Sequence, residues 1–221
     1  LLRRIVFAQE DERRRIAREM HDQFGQQLTV LKLKLDLVKE DCGEHENLCE
    51  QVEVLQTIAR QLDADVEHMV WEMRPTALDD LGLQAALSSY IKNWSKHVGI
   101  PVQLHASGMD KNRLTPEVET ALYRIAQEAL NNVAKHAAAK NVAVVLERRT
   151  DQVSLIIEDD GVGFDLQQVL GVDAEGVGLI GMRERAALIG GTFEIESQPD
   201  KGATVVVRIA APPLETGETD E

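Results

Sequence analysis

Aromatic residues are scarce in this chain of 221 residues, at 4%, so within an apolar share of 43% its cores must be built from Leu, Val, Ile and Ala. Cysteine is nearly absent: only Cys42 and Cys49 occur. Their spacing fits no metal-ligand pattern and suggests no disulfide framework. Positive charge is in deficit, with 24 Lys and Arg against 38 Asp and Glu and a formal net charge of −14. Nucleic-acid binders need cations to neutralise phosphates, and so do surfaces that adhere to anionic lipid. Both classes are disfavoured. No apolar run approaches the roughly 18 residues of a membrane span. These deficits lead to the expectation of a soluble protein of a reducing, cytoplasmic compartment, with no direct nucleic-acid or membrane contact in this stretch. The length fits two domains.

The first domain is expected over residues 1–74. From Ile16 the apolar positions run Ile16, Met20, Phe24, Leu28, Leu31, Leu35 and Val38, in steps of three and four. That is one narrow stripe on a long helix. It extends upstream through Ile5 and Leu2 with no start signal, as in a piece of a longer protein. A polar turn falls at Glu40–Glu46, around Gly43. A second helix follows with Leu48, Val52, Leu55, Ile58, Leu62, Val66, Met69 and Met73, and Pro75 stops it. Two such helices form a hairpin. A lone hairpin leaves little core, whereas two hairpins make a four-helix bundle, so the expectation is a homodimer. The alternative is that the hairpin packs on its own C-terminal domain.

His21 follows Met20 by about 100° around the helix and so lies off the apolar stripe. Asp22 is its neighbour, and Gln26 lies at i+4 from Asp22, which puts those two on one face. Taken alone, a histidine on a helix is ordinary.

Residues 75–82 read as a linker, Leu78–Leu83 forming the connector. The second domain is expected over 83–211: a helix over 83–98, a strand from Val102, a helix over 115–138 with Thr115 as N-cap and Pro116 at N1, strands at Val142–Leu146 and Val153–Ile157, a helix over 179–188, and strands over 192–197 and 203–209. This is an α/β sandwich, a mixed sheet of about five strands with about three helices on one face. The acidic tail 212–221 reads as disordered.

Three motifs of this domain carry chemistry. On the helix 115–138, Glu128, Asn132 and Lys135 fall within about 60° of one another. Asn131 flanks them, and His136 lies one turn beyond Asn132. Carboxylate and amide oxygens suit Mg²⁺, which completes its shell with water and phosphates. The second motif is Asp159-Asp-Gly161-Val-Gly163. A carboxylate at a strand end can accept a hydrogen bond from an exocyclic amine while glycines turn the chain beneath a flat base. The third is Gly176-Val-Gly178 before a helix, where exposed N–H groups let phosphate approach. Between the last two, residues 164–175 have the polar, glycine-bearing character of a lid. Each motif alone also fits a bland reading, a solvated helix face or a plain turn. Their conjunction and order inside one α/β domain point to a nucleotide site.

Together these residues resemble the two-component sensor histidine kinases of the subgroup with an H-D-x-x-x-Q phosphoacceptor sequence, here His21, Asp22 and Gln26. The likeness covers nearly the whole chain. Met73–Leu83 is similar to the subgroup's interdomain segment, Gln127–Ala137 to its N box, Asp159–Gly163 to the G1 box, Gly176–Arg185 to the G2 box and Gly202–Thr204 to the closing segment. The resemblance implies the Bergerat (GHKL) ATP-binding fold, shared with gyrase and MutL, from about residue 83. It implies ATP and Mg²⁺ as cofactors, a homodimer, a response-regulator receiver domain as partner in a phosphorelay, and a sensor or membrane domain upstream. His21 would take the phosphoryl group. Asp22 would hold its tautomer or take its proton, because the imidazole must be neutral to attack. Gln26 would orient a water for dephosphorylating the regulator. Asn132 would hold Mg²⁺, with Glu128 assisting it or polarising the nucleophile. Lys135 and His136 would lie near the phosphates, Asp159 would bind the adenine amino group, Gly161 and Gly163 would lie under the base with Thr204 nearby, and Gly176 and Gly178 would line the phosphates. Whether Asn131 shares the metal is open. Location in the cytoplasm, or as the cytosolic part of a membrane-anchored sensor, follows. The competing readings are a non-catalytic dimeric scaffold with a degenerate nucleotide site, and a Bergerat-fold ATPase or serine kinase that uses no histidine. The presence of H-D-x-x-x-Q beside the nucleotide motifs weighs against both.

Overall fold

A computed structural model describes residues 2–43, 45–73, 76–109, 113–166 and 177–210. The chain divides into two units, Leu1–Thr76 and Ala77–Glu221.

The first unit is the hairpin. α1 (Leu2–Asp41) and α2 (Glu46–Met73) are joined by a turn in which Gly43 takes a φ of +51° and His45 N–H donates to Cys42 O at 3.0 Å. Cys42 and Cys49, for which the sequence suggested no disulfide, are bonded across this turn, with Cα atoms 5.7 Å apart. Closing the turn brings the two backbones within disulfide reach, a proximity that residue spacing alone does not reveal.

The helices run antiparallel. Lys39 pairs with Glu53 at 2.9 Å, Gln56 donates to Asp36 at 2.7 Å, and Lys32 pairs with Asp63. The buried seam of the hairpin is made of small and branched residues: Ala17, Leu28, Cys42, Val52, Ala59 and Val70 are buried, Ala17 and Ala59 at 1% exposure. The seam shares only Leu28 and Val52 with the apolar stripes expected from the sequence. Phe24, Leu31, Val38, Leu48, Leu55, Ile58, Leu62 and Met69 remain 42–50% exposed. Small residues thus fill the contact between the helices, and larger side chains, Val30, Leu33, Leu37 and Val54 among them, are left exposed.

The second unit opens within a short helix, α3 (Thr76–Asp80), where the sequence suggested a linker. α4 (Gly82–Val98) follows and ends at Gly99, which has a φ of +80° and donates to Ser95 O at 2.9 Å. β1 (Val102–Ser107) leads to α5 (Pro116–Asn132). The next turn, Val133–Ala137, is π-helical, and Ala138 ends it at a φ of +48°. β2 (Val142–Arg148) and β3 (Gln152–Asp159) form a hairpin; α6 (Val177–Leu188), β4 (Thr192–Ser197) and β5 (Ala203–Ala210) complete the unit. The sheet order is β1-β2-β3-β5-β4, parallel between β1 and β2 and antiparallel elsewhere. This is the mixed five-stranded sheet that the sequence pattern suggested. Alternation along the strands buries Val144, Leu146, Leu155, Ile157, Val205 and Val207 on one face. Leu122, Ile125, Ala126 and Ala129 of α5 and Met182 of α6 complete that core.

Candidate functional site

The second unit holds a cavity of about 500 Å³, within the range of small-ligand sites. α5 and its π-helical turn supply Glu128, Asn132, Lys135 and His136; the chain after β3 supplies Asp159, Gly163 and Phe164; α6 supplies Gly178, Leu179 and Met182; β5 supplies Ala203 and Val205. Three separate sequence motifs therefore meet at one place. A π-helical turn carries an extra residue per turn, and such turns recur at functional sites. Here it replaces the regular helix expected to Ala138 and presents Lys135 and His136 at the exposed rim.

Asp159 ends β3 and is 8% exposed. Its carboxylate accepts the Gly161 N–H at 2.9 Å and also the backbone N–H of Ala203. Burial is the largest influence on it and holds its pKa above the usual carboxylate range, although both backbone donors pull the other way. The glycines beyond it are fixed by close backbone approach. A side chain on Gly161 would strike Ala137 O, and one on Gly163, which has a φ of +59°, would strike Gln198 O. Val162 N–H donates to Ala137 O at 2.8 Å and Asp200 N–H to Val162 O at 2.6 Å. The Asp159–Gly163 segment is thus held between the π-helical turn and the β4–β5 turn. Gly163 reaches the cavity; Gly161 packs behind it.

At the other end of the cavity, Gly178 lies in the first turn of α6. A Cβ there would collide with the Glu128 carboxylate and lie 3.5 Å from Asn132 Nδ2. The start of a helix, with N–H groups that have no partner within it, is therefore set directly against a carboxylate and an amide. Helix N-termini favour phosphate, and two oxygen donors beside one leave room for water and phosphate around Mg²⁺. Among the described residues no three His, Cys, Asp or Glu side chains gather as a metal site. A cation here would depend on Asn132, Glu128 and ligand oxygens, and this donor set fits Mg²⁺.

One sequence assignment is turned away from the cavity. Thr204 pairs with Glu158 on β5, between the cavity-lining Ala203 and Val205, and strand alternation turns it to the opposite sheet face. Its neighbour Ala203 contributes instead, through its backbone N–H. Gly176 and most of the expected lid lie outside the described residues. Asn131, the possible second amide, is not among the lining residues.

Two supporting residues escaped the sequence reading. Asp160 accepts the N–H groups of Lys140 and Asn141 at 2.7 and 2.8 Å and Asn141 Nδ2 at 2.9 Å, and the Asn141 side chain chiefly lowers its pKa. Ser197 Oγ accepts Phe164 N–H and donates to Gly202 O, both at 2.9 Å, tying the chain beside the cavity to the β4–β5 turn.

In the first unit, His21, Asp22 and Gln26 are all exposed on α1. Two turns before them, Arg15 bridges Glu12 and Glu19.

Residues 12–78 match a family described as histidine kinase, and residues 117–213 match one described as histidine kinase-, DNA gyrase B-, and HSP90-like ATPase. The chain is similar to the oxygen sensor histidine kinase NreB of Staphylococcus carnosus, 38% identical over 211 residues that cover 95% of this chain and 59% of that protein. It is also similar to the signal transduction histidine-protein kinase/phosphatase DegS of Brevibacillus brevis, 36% identical over 218 residues, 97% of this chain and 54% of that protein. The chain thus spans somewhat over half the length of these relatives. In fold it resembles the histidine kinase domain of a blue-light activated histidine kinase from Erythrobacter litoralis, with a TM-score of 0.53, 19% identity, and coverage of 88% of this chain and 97% of that one.

Proposed function

Because the chain belongs to the two-component sensor histidine kinases, with a histidine kinase segment at 12–78 and an ATPase segment at 117–213, we propose that it phosphorylates itself on His21 from ATP. We infer further that it passes the phosphoryl group to an aspartate of a response-regulator receiver domain and removes it again. The observation that carries the reading is the meeting of Glu128, Asn132, Asp159 and Gly178 around one cavity.

Each residue has a role that its surroundings favour. Asp159, with two backbone donors already bound, accepts the amino group of adenine. Gly178 brings the N-terminus of α6 to the phosphates. Asn132 would hold Mg²⁺, with Glu128 assisting it or polarising the nucleophile; the ion would supply neutralisation of phosphate charge. Lys135, exposed at the rim, adds positive charge on the phosphate side, and His136 lies beside it. A ring nitrogen of His21 attacks the γ-phosphorus. The bond from phosphorus to the leaving ADP oxygen breaks, a P–N bond forms, and the ring proton passes to Asp22 or to water. Positioning and electrostatics supply most of the rate in such transfers. Gln26 orients a water for removing phosphate from the regulator. The large apolar side chains left exposed along the hairpin favour a homodimer. We place this core in the cytosol; no described helix is long and apolar enough to cross a membrane.

Incubation with Mg²⁺ and ATP labelled at the γ-position is expected to yield an acid-labile, base-stable phosphoprotein, with no transfer from α-labelled ATP. Acid-stable, base-labile label would mean a hydroxyl acceptor and overturn the reading. Gln26→Ala should keep autophosphorylation within about two-fold yet slow regulator dephosphorylation about ten-fold or more, the usual scale for one positioned group. Equal loss of both activities would refute the role given to Gln26.

A further inference from the structure

Arg113 lies between β1 and α5 and ties two distant segments together. Nη2 donates to Leu78 O at 2.6 Å and Nη1 to Asp79 O at 2.7 Å, while Nη2 and Nε reach the Glu119 carboxylate at 2.9 and 3.3 Å. The Leu78 and Asp79 carbonyls belong to the end of α3, where a helix cannot satisfy its own acceptors. Glu119 is 3% exposed in the first turn of α5, so its buried charge depends on a partner. A planar guanidinium can serve both needs at once, which an ammonium cannot. Gly82, at a φ of +83°, turns the chain from α3 into α4, and a Cβ there would lie 3.5 Å from both Arg113 Nε and Glu119 Oε1. Leu78 is 1% exposed. The stretch from Leu78 to Gly82 is therefore bound to the ATPase unit.

We propose that Arg113 is a positioning residue for phosphoryl transfer: it fastens Ala77–Gly82 to the ATPase unit, keeps the covalent connection from α2 short, and so keeps ATP at high effective concentration around His21. This rests on the histidine kinase reading above. α2 ends at Met73 and the second unit begins at Ala77. Releasing the clamp adds the six residues 77–82 to the three between, and effective concentration falls roughly as the −3/2 power of tether length, about five-fold here. Nucleotide affinity is untouched, because neither Arg113 nor Glu119 lines the cavity.

The test uses the full chain as wild type, Arg113→Ala and Arg113→Lys. Initial rates of phosphohistidine formation are measured across ATP concentration, and amide hydrogen exchange is read over Ala77–Gly82. Arg113→Ala is expected to exchange there about ten-fold faster and to lose about five-fold in kcat, with KM for ATP within about two-fold. Arg113→Lys, which keeps the charge, should recover part of both. Inserting six Gly and Ser residues between Pro75 and Thr76, with the clamp intact, should lower kcat by a similar factor without changing that exchange; this decides the matter even if Arg113→Ala misfolds. Unchanged kcat in the insertion chain overturns the proposal. So does unchanged exchange in Arg113→Ala, or a KM that rises as kcat falls. If the wild type forms no phosphohistidine, the activity reading fails and the rate claim falls with it, while exchange still decides whether the clamp exists.

Discussion

Asp159 is held where its charge is unwelcome. Burial raises its pKa above the unfolded carboxylate's, so between those two values the folded state binds more protons and stability falls as pH rises. At neutral pH the ionised carboxylate therefore costs stability. In the proposed reading the same carboxylate accepts the adenine amine, so ATP affinity is expected to weaken as pH falls through the folded value. Asp159→Asn should separate the two effects. ATP affinity is expected to drop about 10- to 100-fold, the scale of one hydrogen bond to a charged group, while the melting temperature stays level or rises. Titration calorimetry with ATP and a thermal melt check both; a clear loss of stability would contradict the assigned conflict. Gly178→Ala is a second test, since the added methyl meets the Glu128 carboxylate. It should cost more than ten-fold in autophosphorylation, by roughly the amount a misplaced positioning group does, with the fold intact by circular dichroism. At this scale the chain was legible where a motif is contiguous. Asp159 and Gly163 stand out because they share one contiguous motif, as do Glu128 and Asn132 on one helix face, although the contacts they make, such as Asp159 to Ala203, are distant. Asp160 acts on partners 19 and 20 residues away and Ser197 on one 33 residues away, and nothing local marks such pairs. Thr204, expected near the base, lies between two lining residues but is not itself one, because one residue of strand register reverses the face.

Among the elements, the hairpin shows how periodicity can find a helix and miss its contact. Steps of three and four placed α1 and α2 correctly, yet large side chains drew attention away from the seam. Ala17, Cys42 and Ala59 carry little hydrophobic signal, but their size allows the close approach. The turn is closed by the Cys42–Cys49 disulfide. A loop of this size should stabilise the hairpin by about 2 kcal/mol, mainly by restricting the unfolded chain. Urea unfolding followed on the helical signal with and without dithiothreitol measures it. Reduction is expected to lower the midpoint in the wild type and to leave Cys42→Ser unchanged; equal responses would show that the bond contributes nothing. In the second unit, strand alternation and the Thr115-Pro116 helix start are sufficient to place the strands and α5, while α3 falls where the sequence reads as a linker. The π-helical turn is not legible in the sequence, because the contacts at its end, Ala137 O with Val162 N–H and Gly161 packed against Ala137, join residues more than 20 positions apart.

For the molecule as a whole, the two units divide the work. One presents an exposed His21, and the other a cavity with the donors for a nucleotide. In the proposed homodimer, the large side chains left exposed along the hairpin, Ile58 and Leu62 among them, are what a second copy would cover. Ile58→Glu with Leu62→Glu would bury charge in that interface at a cost of several kcal/mol, at least about a hundred-fold in dimer affinity. Sedimentation should show the variant at half the mass of the wild type; an unchanged mass would place the dimer contact elsewhere. The division of labour is tested most directly by quantifying γ-phosphate label on His21 in the wild type, His21→Gln and Asn132→Ala, with ATP binding measured on each. The expected result is label on His21 in the wild type alone, with His21→Gln still binding ATP. Label of undiminished amount in His21→Gln would contradict it.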